Sequence, residues 1–65
     1  MKTLSELLDD CAKRGIVMEV KVMADRYPTA VHLDTADRFT AAEKYGERLV
    51  SKYKRRRERI TVYTL

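Results

Sequence analysis

A chain of 65 residues with one cysteine and one histidine has no disulfide framework and no recognisable zinc-ligand spacing to staple it together. That length is near the shortest at which a hydrophobic core alone supports a fold, so residues 1–65 must form a single unit held by packing, with self-association as the natural reinforcement. Apolar residues, 45% of the chain, are too many for a disordered tail, and charged ones, 37%, too many for a membrane protein. No stretch approaches the roughly 18–20 apolar residues of a membrane span. The opening MKTLSELLDD places acids where a signal peptide needs an apolar run. The expected compartment is the cytoplasm, with no membrane partner.

Thr3 followed by Glu6 has the form of a capping box, in which hydroxyl and carboxylate satisfy the free amides of a helix start. Leu4, Leu7, Leu8 and Cys11 then recur on one helical face, and Gly15 suits the left-handed residue just past the end, so a helix is expected from about Leu4 to Arg14. Over residues 16–24, Ile16, Met18, Val20, Val22 and Ala24 share one side of a period-two pattern, which reads as the clearest strand. A polar break at Asp25, Arg26, Tyr27 and Pro28 precedes a second alternation, with Thr29, Val31 and Leu33 on one side and Ala30, His32 and Asp34 on the other. The two runs read as an antiparallel hairpin.

A second helix has two candidate starts: a cap at Asp34 or Thr35, or the preferred cap at Thr40 with Glu43 closing a second capping box. From Thr40, the residues Ala42, Tyr45, Gly46, Leu49 and Tyr53 form a continuous stripe, with Gly46 expected to allow close approach to the sheet. Lys54, Arg55, Arg56 and Arg57 would occupy the last turn, opposing the negative end of the helix dipole. Residues 60–65 read as a final strand. The resulting fold class is α+β: a two-layer α-β-β-α-β unit with a three-stranded antiparallel or mixed sheet of order 2-1-3 and both helices on one face.

Candidates for catalysis are few. His32 falls on the outward side of a strand and Cys11 on the buried stripe of a helix, so neither is placed to activate the other. The carboxylates Asp9 and Asp10 face different directions on a helix, and Gly15 and Gly46 are too far apart for a phosphate-cradling loop. No enzyme activity, cofactor or metal is expected.

Three surfaces remain. Lys52, Lys54, Arg55, Arg56, Arg57 and Arg59 concentrate positive charge where a chain of net charge +4 can contact a polyanion, either as a nucleic-acid site or as a merely solvated face. Tyr53 beside them is read as core rather than as a stacking residue. The uncovered face of the sheet would carry Val17, Lys21, Met23, His32, Tyr63 and Leu65, a mix suited to a protein interface and, through Tyr63, to base stacking. The edge of the C-terminal strand offers backbone groups for homodimer formation.

The segment TAAEKYGERLVSKY followed by ITVYTL, with a hairpin before it, resembles in architecture the small α/β accessory proteins of bacteriophages and mobile elements, a group that includes anti-CRISPR-type inhibitors. That resemblance implies a non-enzymatic regulator or inhibitor that covers a surface of a host protein or nucleoprotein complex. The alternative is a direct DNA- or RNA-binding regulator using the basic end of the second helix.

Overall fold

A computed structural model describes residues 1–15 and 19–65. In chain order the elements are α1 (Leu4–Arg14), β1 (Glu19–Ala24), β2 (Val31–Ala36), α2 (Arg38–Tyr45), β3 (Val50–Arg56) and β4 (Arg59–Thr64). The chain is α+β with two helices, but the sheet has four strands in the order β2-β1-β4-β3, not three in the order 2-1-3. The added strand is β3, formed from residues expected to lie in the second helix.

Helix α1 follows its sequence signature. Thr3 accepts a hydrogen bond from the Glu6 amide, the Glu6 carboxylate accepts one from the Thr3 amide, and Leu4, Leu7, Leu8 and Cys11 are buried. Gly15 ends the helix at φ 154° and ψ 179°, not in the expected left-handed helical conformation but in an extended one open to glycine and strained for other residues. In β1, Val20, Val22 and Ala24 point inward as the alternation requires. The inward placing of Ile16 and Met18 and the outward placing of Val17 lie outside the described residues.

The second helix departs from expectation at both ends. Its cap is Asp37, whose carboxylate accepts from the Thr40 amide and from the Thr40 hydroxyl, each at 2.9 Å. Thr40 is therefore the third residue of α2, and neither Asp34 nor Thr35 caps it. The helix stops at Tyr45, so Leu49 and Tyr53 do not extend its stripe. Gly46 makes the close approach expected of it, but to α1: a Cβ there would collide with the Ser5 hydroxyl and the Ala42 carbonyl. Its carbonyl also accepts from the Ser5 amide at 3.1 Å.

Residues 50–56 extend because β4 has a side for them to pair with and Val50 gains a place in the core. Their start is clamped from both sides, the Val50 amide donating to the Lys2 carbonyl and the Leu65 amide to the Leu49 carbonyl. Strand β3 runs antiparallel to β4, and β4 runs parallel to β1. The extra strand adds one reversal, which makes the final strand parallel to the first rather than antiparallel. On β2, a bulge opposite Val22 and Met23 lets Leu33 pack against the core while Asp34 reaches Lys44 of α2 at 3.5 Å.

All of the core lies between the helices and one face of the sheet. It joins the α1 stripe and Ala41 of α2 to Val20, Val22, Val50, Ile60 and Val62. Thr64, fully buried, donates to the Met23 carbonyl at 3.1 Å and accepts from Arg48 Nε at 2.8 Å. Among the described residues, no helix lies on the opposite face of the sheet.

Candidate functional site

Register decides what the open face displays, because residues paired across a sheet point to the same side. One row runs Thr35, Lys21, Thr61, Lys54 from β2 to β3, and the next runs His32, Met23, Tyr63, Lys52. A third row holds Glu19, Arg59 and Arg56. Five cations and one carboxylate thus share the face. These three rows alone carry a formal +4; Asp25, next along the chain from β1, adds a carboxylate at the end of the sheet, where its amide donates to the Thr64 carbonyl and its carboxylate accepts from the Ser51 hydroxyl.

Of the five cations only Arg59 has an acidic partner within 4 Å among the described residues, Glu19 at 3.0 Å. Arg56 stands directly opposite Arg59 across the β3–β4 ladder, a like-charge pairing that works against the sheet's stability. In the His32–Met23–Tyr63–Lys52 row, the Lys52 ammonium lies 4.8 Å from the centroid of the Tyr63 ring. Beside them, the His32 ring and the Thr35 hydroxyl share a hydrogen bond of 2.8 Å.

The basic cluster read from the sequence is therefore real but built differently. It is not the end of a helix: Lys52, Lys54, Arg55 and Arg56 lie on β3, Arg57 lies in the turn, and Arg59 begins β4. Alternation splits it, sending Lys52, Lys54, Arg56 and Arg59 to the open face. Arg55, paired with buried Ile60, turns to the helix side, where its guanidinium lies against Gly15 at the end of α1. Tyr53, expected in the core, is 49% exposed, because as an edge-strand residue it is covered from one side only. Lys21, Met23, His32 and Tyr63 all face outward as expected, and Leu65, beyond the end of β4, is exposed. The joining of Lys21 to Lys54 across Thr61 is the part of the site that sequence reasoning missed. No signal in the sequence carried it, because the union depends on the β1–β4 and β4–β3 registers.

The C-terminal strand does not offer an edge. It is hydrogen-bonded on both sides, to β1 and β3, and the sheet edges are β2 and β3. The edge at β3 carries four cations and its start is met by Thr3, which bridges to Leu49; that charge disfavours strand addition.

In the helix layer, hydrogen bonds from the Thr3 amide and hydroxyl hold the Glu6 carboxyl below its usual range. Those from the Thr40 amide and hydroxyl do the same for Asp37. Asp10 is lowered by its hydrogen bond and ion pair with Lys2. A surface depression of about 820 Å³ also belongs to this side, lined by Ser5 and residues 42–48. A smaller one, at the tip of the β3–β4 hairpin, is lined by Glu19, Arg56, Arg57, Glu58 and Arg59. Compared with protein-family models, with curated proteins and with solved structures, the chain matches none of them.

Proposed function

We propose that this chain is a non-enzymatic nucleic-acid-binding protein whose contact surface is the open face of its sheet. The observation that carries this reading is the gathering of Lys21, Lys52, Lys54, Arg56 and Arg59 on one face, in rows that carry a formal +4. Such a face attracts polyanions and neutralises phosphates, and affinity then falls steeply with salt. The unfavourable Arg56–Arg59 pairing fits a face selected for its field rather than for stability. Five phosphate contacts on a single strand correspond to a slope of about −3.5 in log K against log salt concentration.

The test is charge reversal in the middle row. The double variant Lys21→Glu, Lys54→Glu is expected to keep its circular dichroism spectrum and to lose affinity for a labelled oligonucleotide by roughly tenfold or more at about 0.1 M salt. Unchanged affinity would remove this reading.

A second reading, a phage-type regulator that covers a host protein or nucleoprotein complex, draws on different residues. Tyr27 and Phe39 are 98% and 71% exposed, and aromatic side chains are typical anchors of protein interfaces. Loss of a co-purified protein on Phe39→Ser, with nucleic-acid binding untouched, is the result that favours it.

A further inference from the structure

Tyr63 lies in an interior strand, in the outer row of the open face next to Lys21 and Lys54, between Met23 on β1 and Lys52 on β3. Its neighbour along β4 on the same face is Thr61, with exposed Leu65 beyond the strand's end, and the ring is half-buried, so part of it stays open. The Lys52 ammonium is held over the ring, 4.8 Å from its centroid. We infer that Tyr63 is a stacking platform for one unpaired base of a single-stranded nucleic acid, and that Lys52 covers the ring until the base displaces it. This rests on the reading of the open face as a nucleic-acid surface and names the kind of nucleic acid that it takes.

The exchange is favourable on magnitudes. A solvent-exposed cation over an aromatic ring is worth roughly two- to fivefold in an equilibrium constant, whereas a base stacked on an aromatic side chain is worth roughly five- to hundredfold. The displaced ammonium is not lost, because its tether keeps it within reach of the phosphate beside the stacked base. The next row, Lys21 and Lys54, lies about 7 Å along the strands, placed for a neighbouring phosphate. A duplex has its bases stacked on one another and has no free face to present to Tyr63.

The platform can be observed in the native protein. Titration with an oligothymidylate or oligouridylate of about twelve nucleotides, within the site sizes of small single-strand binders, should shift the Tyr63 ring protons upfield as a base stacks. The Lys52 ε-protons, shielded while they lie over the ring, should move downfield. In fluorescence anisotropy, Tyr63→Leu should weaken single-strand binding roughly five- to hundredfold with the salt slope unchanged, and Tyr63→Phe should restore it. Lys52→Met should flatten the slope by about 0.7. A blunt duplex of the same length should bind more weakly than the single strand. Equal binding of the duplex, unshifted Tyr63 and Lys52 resonances in a saturated complex, or a Tyr63→Leu variant as tight as the native chain overturns the inference. If Lys21→Glu, Lys54→Glu still abolishes binding in that event, the electrostatic reading stands without it; if no oligonucleotide binds in a salt-dependent way, both fall.

Discussion

Arg57 is the only non-glycine residue with positive φ among the described ones, at 48°. It occupies the first position of the two-residue turn between Arg56 and Arg59, where Asn, Asp or Gly is the usual choice. The left-handed conformation costs an L-residue about 1–2 kcal/mol, more than the chain entropy that glycine adds to the unfolded state, about 0.4–1 kcal/mol. Arg57→Gly is therefore expected to raise the free energy of unfolding by about 0.5–1 kcal/mol, read from the midpoint of a urea titration.

At the scale of elements, β4 carries the sheet. Ile60, Val62 and Thr64 are fully buried, and both of the strand's sides are paired. Ile60→Ala should cost about 2–5 kcal/mol, comparable with all that the core of so small a chain supplies, and leave it largely unfolded by far-ultraviolet circular dichroism. Tyr53→Ala, on the half-exposed edge, should keep the fold. The same contrast explains what the sequence made legible. The first helix, β1 and β4 bury one full face each, so their apolar periods of 3.6 and 2 are written plainly. Strand β3 buries only Val50, and no alternation of apolar residues marks it. Leu49 and Tyr53 instead continue the spacing of Ala42 and Tyr45, and Lys and Arg are good helix formers, so local pattern favours helix where pairing with β4 decides for strand. The outward residues of β1 and β4 were readable from phase alone. Their union with Lys52, Lys54 and Arg56 into one face was not, because it depends on a register that only the assembled sheet defines.

For the molecule as a whole, the carboxylates of Glu6, Asp10 and Asp37 all have folded-state pKa values below the usual range, through the hydrogen bonds that cap the helices and the ion pair with Lys2. The unfolded chain binds these protons more readily, so their contribution is fully present above about pH 4–5 and is lost as pH falls through the depressed folded values. Stability measured by urea denaturation should stay level from neutrality to about pH 5 and then decline, and Asp37→Asn should blunt that decline. The order of the strands has a consequence of another kind. Strand β4 follows every other element in the chain yet sits inside the sheet, pairing Glu19 with Arg59 and Ala24 with Thr64. A chain still emerging from the ribosome holds the β1–β2 hairpin with the second edge of β1 unpaired until β4 has been made. Such long-range closure makes assembly slow relative to helical bundles of this size, and it leaves no earlier subset of strands with a complete core, so native-state hydrogen exchange should report β1 and β4 opening together.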